Sequence, residues 1–475
     1  MSRTKIVATI GPATDTAKAL KDLSLAGMSM ARLNGSHADL DWHAKTIALI
    51  RETLPGTPIL LDIPGRKIRT VALAHEPSFE KGDTVILTTD SSHDGHEKVP
   101  VNYAGLHDDL NEGVTIMADD GTLRFTVSAI RGRDIHCRAE TPGTLRGRKG
   151  INVPYVTLHT ELVSQCDREM MSFARRHGID FVGISFVEST EHVEAIRALA
   201  GGGWPRIVSK IENRGGMENM RAVIEASDAV MIDRGDLSVE TELETLAVAQ
   251  KSILSAAAAA AKPVIVATEM LHTMIDNSFP TKAEVSDITN AVLDGCSATM
   301  LSGETAIGRH PVEAVSVMRR VTEAAEAHLQ QTLDGPGRNR GEFESVPEAM
   351  AEAIAFLCRS LPVTKIVALT RSGYAARTIA AFRPRQPIIA VSDDAMAAQS
   401  FNMLAGTTGV YTEEPFSRTS LDYLPRCLEK LWRDGAIVGD DLILVTAVTF
   451  PQSGNRMNLI ETYKVDDLRN TLGWK

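Results

Sequence analysis

Eight short apolar runs recur along most of the chain, each ending in polar or glycine residues. They are KIVATIG (5–11), MSMARLN (28–34), PILLDIPG (58–65), DFVGISF (180–186), RIVSKIE (206–212), AVMIDRG (229–235), PVIVATE (263–269) and ATMLSGE (298–304). Between most of them lie segments of helical periodicity, such as TAKALKDLSLAG (16–27) and MENMRAVIEAS (217–227). Runs this short, bounded by turn residues, read as strands buried on both faces. Strands alternating with helices predict a parallel sheet. Eight such units predict a closed (β/α)8 TIM barrel with its active site at the C-terminal ends of the strands.

The series is interrupted once. Between about 70 and 156 the texture changes to DTVILTTD, VTIMADDG, RFTVSAI and DIHCRAE, separated by Gly and Asp. A structureless loop of that length would be out of place in a compact domain. The segment 71–156 is therefore expected to be an inserted small β-barrel domain, splitting the catalytic barrel into 1–70 and 157–340. After LDGPGRNRGEFES, which reads as a linker, a helical segment (PEAMAEAIAFLCRSL) and three strands (KIVALT, PIIAVS, DLILVTA) predict an open α/β domain over 345–475. The fold class expected is α/β, in three units.

Composition narrows the function classes. The chain has 475 residues, 43% hydrophobic and 23% charged, with a formal net charge of −11. Such a balance is that of a soluble globular protein and argues against a general nucleic-acid or membrane-surface binder. No run approaches the roughly 18 apolar residues of a spanning helix. The five cysteines are scattered without a CxxC pair, which speaks against a zinc knuckle or a disulfide framework and for a reducing cytoplasm. The N-terminus runs almost directly into a strand pattern, so no signal peptide is expected.

The chemistry gathers at the strand ends. Side chains two apart on a strand share a face, so Lys210 and Glu212 in RIVSKIEN point the same way. The second run ends with Arg32, Asn34, Ser36 and His37; the third with Asp62, followed by Lys67 and Arg69. The sixth gives Asp233, Arg234 and Asp236, the seventh Thr268 and Glu269, the eighth Ser302 and Glu304. Arg32, Arg69 and Lys210 are cations suited to a polyanion. Glu212 and Asp236 are hard oxygen donors suited to Mg2+, which takes one or two carboxylates plus substrate oxygens. A metal beside Lys210 would suit an enolate or a transferring phosphoryl group. A plain Lys210–Glu212 ion pair is the competing reading.

In their order and approximate spacing, KIVATIGP, ARLNGSH, IVSKIEN, DRGDL, ATEML, PTKAE, LDG and MLSGETA make the chain resemble the pyruvate kinase family over nearly its whole length. The resemblance implies transfer of a phosphoryl group from phosphoenolpyruvate to ADP with Mg2+ or Mn2+, followed by protonation of the enolate to pyruvate, in a homotetramer. It gives Lys210 and Arg32 the phosphoryl group, and Glu212 and Asp236 the metal. The backbone at Arg234 and Gly235, with Thr268, takes the substrate carboxylate. Proton delivery goes to Thr268, or to a water connected to Ser302 and Glu304. Thr9, Pro12, His37, Arg69, Lys149 and, on the inserted lid, Asp120 fall on the nucleotide side. Asn34, Ser36, Asp62 and the backbone of Ile63 build a monovalent-cation site.

The chain departs from the family pattern at Lys67, where a glutamate is usual. A fixed ammonium there could supply the charge of K+, so activity without K+ is expected; a Lys67 turned to solvent is the alternative. Asp233 and Glu269 add negative charge where Ala and Gln are usual, and Gly35, Gly215 and Lys282 are smaller departures. In the C-terminal unit, KIVALTRSGYAARTIAAF places Thr370, Arg371, Ser372 and Gly373 before a helix. That turn suits a phosphate, and the resemblance implies a sugar-phosphate effector, with Ser453, Gly454 and Arg456 of TFPQSGNRMN on a second loop. An ordinary Ser or Thr N-cap is the other reading. Two further functions stay open: another barrel enzyme acting on enolates of oxaloacetate-like acids, and a weak paralogue that senses phosphometabolites.

Overall fold

The computed structural model describes residues 2–119, 121–156, 158–201, 203–333, 345–417, 419–448 and 457–474. Eight strands form the closed barrel: β1 (Lys5–Thr9), β2 (Met30–Asn34), β3 (Ile59–Ile63), β4 (Phe181–Ile184), β5 (Arg206–Ile211), β6 (Ala229–Asp233), β7 (Val264–Ala267) and β8 (Ala298–Leu301). Neighbours pair in parallel, and β1 closes on β8 through Lys5 opposite Ala298. The period-2 alternation sorts each strand's side chains. Ile207 and Ile211 of β5 face the surrounding helices, as do Val230 and Ile232 of β6. Val208, Ala229 and Met231 join Val7, Met30, Leu60 and Ile265 inside the barrel. Two residues further on, the same inward face carries Thr9, Arg32, Asp62, Lys210 and Asp233, all buried. The interior is thus apolar in its lower layers and ionic at the top.

Between β3 and β4 the chain makes a seven-stranded sheet and a two-stranded sheet. The edges of the larger sheet meet at a bridge between Thr70 and Val101, so it curls on itself around a core that includes Phe125, Ile116 and Leu87. The C-terminal unit is a five-stranded sheet in the order Thr407–Tyr411, Ile388–Ser392, Lys365–Leu369, Leu442–Ala447, Leu459–Lys464, the last strand antiparallel. The first and last of these were not foreseen. Thr407–Tyr411 (TTGVY) lacks an apolar run, and Leu459–Lys464 (LIETYK) is an edge with no fully buried residue. This unit closes the barrel floor: Met403 enters the interior cluster, Lys5 donates to Thr407 O at 2.7 Å, and Arg383 donates to Val292 O and Cys296 O. Among the described residues, no helix is long and apolar enough to cross a membrane. Most of the expected linker, 334–344, lies outside the described residues.

Candidate active site

A cleft of about 360 Å3 opens at the C-terminal rim of the barrel, lined by residues from β2, β3, β5 and β6 and from the loops that follow β4, β7 and β8. Its walls include Arg32, Asn34, Ser36, His37, Asp62, Ile63, Lys67, Arg69, Lys210, Gly235, Asp236, Thr268, Ser302 and Glu304. The strand ends singled out in the sequence therefore converge.

The centre is ionic and its side chains are buried. Lys210 Nζ lies 2.9 Å from Glu212 Oε2 and 2.9 Å from Asp233 Oδ2, and 3.4 Å from Ser185 Oγ. Burial alone would lower the Lys210 pKa, but Asp233 and Glu212 outweigh it and raise the value, so the ammonium stays charged. Asp233 is likewise held below the ordinary carboxylate range: burial works to raise it, and Lys210 more than offsets that. Glu212 is pushed up to about 8 by its burial, against the pull of Lys210. Its Oε1 accepts from Phe186 N at 2.8 Å, while Oε2, despite its closeness to Lys210, is aligned for no hydrogen bond. The competing reading of a Lys210–Glu212 ion pair is thus true as geometry, but the pair sits inside the cluster rather than apart from it.

A divalent cation suits this donor set. Oxygens of Glu212, Asp233 and Asp236 come within 4.8 Å of one another, all three residues buried, and Glu212 Oε2 has no hydrogen-bond partner. Hard carboxylate oxygens of this kind take Mg2+ or Mn2+.

Around the centre the cations take fixed places. Arg32 gives Nε and Nη2 to Asp62 Oδ2 at 2.8 and 2.7 Å and Nη1 to Thr9 Oγ at 3.0 Å. Gly183 in β4 makes room for this pair, since a Cβ there would lie 1.9 Å from Asp62 Oδ1. Lys67 points inward, with its side chain 10% exposed, and its ammonium lies 2.5 and 2.6 Å from the two oxygens of Asp236. The solvent-facing alternative is excluded. The ammonium is also bonded away from the Asn34, Ser36 and Asp62 set: Asn34 Oδ1 accepts from Ser36 N, Ser36 Oγ accepts from Arg69, and Asp62 Oδ1 is buried without a partner. His37 is held below its usual pKa by partial burial and then by Arg69, Arg32, Lys149 and Arg148, a field that favours polyanions.

Three candidates have placements the sequence did not suggest. Arg234 turns its guanidinium away from the cleft, onto Ala267 O, Thr268 O and Asp287, leaving only its backbone at the rim. Glu304 spends one oxygen on Leu271 N and the other on Ser302 N, so it braces the loops after β7 and β8. Lys149 pairs with Asp119 at 2.7 Å on the inserted unit. Thr9 is buried under Arg32, and Pro12 is exposed outside the cleft lining. Asp120, Ser453, Gly454 and Arg456 lie outside the described residues.

Ser185 and His272 also line the cleft and were missed. Ser185 was legible: Phe181, Gly183 and Ser185 share a face, and its hydroxyl donates to Ile63 O at 3.1 Å. At the other suggested site, the helix Tyr374–Ala381 is capped by Gly373 at φ 77, with no side-chain cap, so the Ser or Thr N-cap reading fails there. Thr370 Oγ accepts from Gly373 N at 3.1 Å, and Arg371 pairs with Asp393.

The inserted unit is tied to this rim by Asn152, whose Nδ2 donates to Glu240 Oε1 at 2.7 Å. Burial first, then Asp236 and Glu188, push Glu240 from 4.5 up to about 7. An acid whose folded pKa is raised stabilises least when ionised: the penalty is absent below pH 4.5, grows as pH rises and is complete above pH 7. That difference corresponds to about 3 kcal/mol. E240Q keeps the acceptor for Asn152 and removes the charge. It is expected to melt a few degrees above the parent at pH 8 and level with it at pH 4.5; equal melting temperatures at both pH values would refute the assignment.

Comparison with known proteins agrees with this fold. Residues 1–315 match the family model for the pyruvate kinase barrel domain, and residues 348–461 that for the pyruvate kinase alpha/beta domain. The chain belongs to the pyruvate kinase family. It is 36% identical to a pyruvate kinase of Bacillus licheniformis over 98% of this chain and 81% of that one. Against the pyruvate kinase of Clostridium perfringens it is 36% identical over 97% of this chain and all of the relative. Against that of Thermococcus litoralis it is 35% identical over 94% of each. The family is one of phosphotransferases, so this family member is an enzyme of that class.

Proposed function

We propose that the chain transfers the phosphoryl group of phosphoenolpyruvate to ADP, giving pyruvate and ATP, the last step of glycolysis in the cytoplasm. The observation that supports this most is Lys210, buried between Glu212 and Asp233 at 2.9 Å from each, on the rim that also holds Asp236 and Arg32. Arg32 and Lys210 would hold the phosphoryl group, and the Gly235 amide, with Thr268, the carboxylate. The bond from phosphorus to the enol oxygen breaks as one to the terminal oxygen of ADP forms. The enolate left behind then takes a proton at carbon, from Thr268 or from a water held near Ser302 and Glu304. Mg2+ or Mn2+ at Glu212 and Asp236 would supply Lewis-acid stabilisation of developing oxygen charge. Lys210, kept charged by its carboxylates, contributes a fixed positive charge and not a proton.

Arg69, His37 and Lys149 form the electropositive side suited to ADP, with Thr9 beneath it and Pro12 and Asp120 near it in the expectation from the resemblance. The inserted unit would act as the lid that excludes water. A homotetramer would cover the exposed Leu243, Val248, Phe279 and Ile307. A sugar phosphate would bind at Thr370, Ser372 and Gly373, with Arg371 released from Asp393.

Activity without K+ rests on Lys67, which fixes an ammonium in the same cleft. The buried, unpartnered Asp62 Oδ1 favours the second reading, a retained monovalent ion. One assay tests both levels: phosphoenolpyruvate, ADP and Mg2+ are supplied with K+ or with tetramethylammonium, and pyruvate and ATP are measured together. Equal amounts of the two products are expected, at rates of the same order in both salts. Pyruvate without ATP would favour another enolate enzyme, and a near-zero rate without K+ would refute the role given to Lys67.

A further inference from the structure

The cluster at the rim contains one carboxylate more than the roles above use. Asp233 ends β6 on the inward face, below the turn that carries Asp236. Its oxygens lie within 4.8 Å of those of Glu212 and Asp236. Three buried carboxylates so close repel one another unless cations stand between them. Lys210 stands between Glu212 and Asp233, and Lys67 stands in the fork of Asp236. Arg32 is committed to Asp62. Three carboxyl groups thus face two ammonium groups, one carboxyl more than there are ammoniums. The ammonium of Lys67 contacts both oxygens of Asp236, where an ion chelated by that carboxylate would sit, and it lies 5.6 Å from the centre of the Phe186 ring.

We propose that the divalent-metal site of this chain is built from three carboxylates, with Asp233 a ligand beside Glu212 and Asp236, and that the Lys67 ammonium is its internal competitor, displaced from Asp236 when the ion enters. This rests on the metal reading given above. Two consequences follow from charge alone. Removing Asp233 takes away a donor and a negative charge, so the ion binds more weakly. Removing Lys67 takes away the competing cation, so the ion binds more tightly without substrate present. Lys67 acts here as a positioning residue for Asp236 and does not touch the reacting atoms.

The test reads metal binding without turnover. Mn2+ is titrated into the full-length protein, with no substrate or nucleotide, and the free ion is followed by its paramagnetic resonance signal. Relative to the parent, D233N is expected to bind about tenfold more weakly, in the range for loss of a metal-site partner. K67M is expected to bind several-fold more tightly, and the double variant to fall between. E212Q is the control and should lose binding. D233N matching the parent while E212Q loses Mn2+ overturns the third ligand and leaves the two-carboxylate metal reading standing. K67M binding no more tightly than the parent overturns the competition. E212Q matching the parent places the ion elsewhere and overturns both readings. Circular dichroism checks each fold, and D233S replaces D233N if the amide variant does not fold.

Discussion

K210M is expected to lower the rate of pyruvate and ATP formation by at least about 10³-fold, the scale for losing a preorganised charge at a developing anion. The reason lies in the position of the ammonium. Lys210 is 6% exposed and charged, fixed between two carboxylates at the wall of the cleft. A methionine keeps the length of the stem and removes only the charge. Glu212 and Asp233 then face each other without a cation, and breaking such a buried pair costs about 3–5 kcal/mol when one charge is stranded. Glu212, already pushed up to about 8 by burial, relieves part of that cost by taking a proton. K210M should therefore fold, with a lower melting temperature, and bind phosphoenolpyruvate through Arg32 more weakly. A variant that folds and keeps its rate within tenfold of the parent would show that Lys210 only balances the carboxylates.

With its ammonium held by Asp233 and Glu212, Lys210 is not the group expected to deliver the final proton. The cleft has few other candidates. Glu304 is tied to two backbone amides, and Glu212 and Asp236 face cations. On the proposed reading, the site would divide its work between a fixed charge at Lys210 and a hydroxyl at Thr268. Two carboxyls of raised pKa, Glu212 and Glu240, lie close to it.

The barrel was legible because each strand carries its address in a period of two and each end carries its chemistry. RIVSKIEN shows this: Val208, Lys210 and Glu212 share a face, so one strand delivers apolar packing below and charge above. Ser185 follows from the same rule applied to DFVGISF. What the sequence could not give was partnership across the barrel. Lys67 and Asp236 are 169 positions apart, and Arg234 differs from its neighbours only in where its guanidinium goes. The C-terminal strand Leu459–Lys464 was illegible for another reason: an edge strand buries too little to show an apolar run.

T268A is expected to slow pyruvate formation by about 10²-fold, the lower range for losing a general acid. Thr268 follows β7 at φ 67, left-handed backbone that a β-branched residue adopts at a cost, and Glu269 comes next at φ 54. Arg234, braced by Asp287 at 2.6 Å, donates to Ala267 O and Thr268 O and so holds the turn in place. The turn aims the Thr268 hydroxyl at Gly235 N, from which it accepts at 2.9 Å, while its own proton goes to Ala267 O at 2.6 Å. A substrate carboxylate on the Gly235 amide would displace the hydroxyl from that bond and free it to turn toward the enolate. Alanine removes the hydroxyl and leaves the backbone demand unchanged, so stability should move little. The decisive reading is exchange of pyruvate methyl protons with deuterated solvent in the presence of ATP and Mg2+. T268A should lose it, T268S should recover most of it, and phosphoenolpyruvate binding should weaken by less than the exchange. Exchange at the parent rate in T268A would move the proton to a water near Ser302.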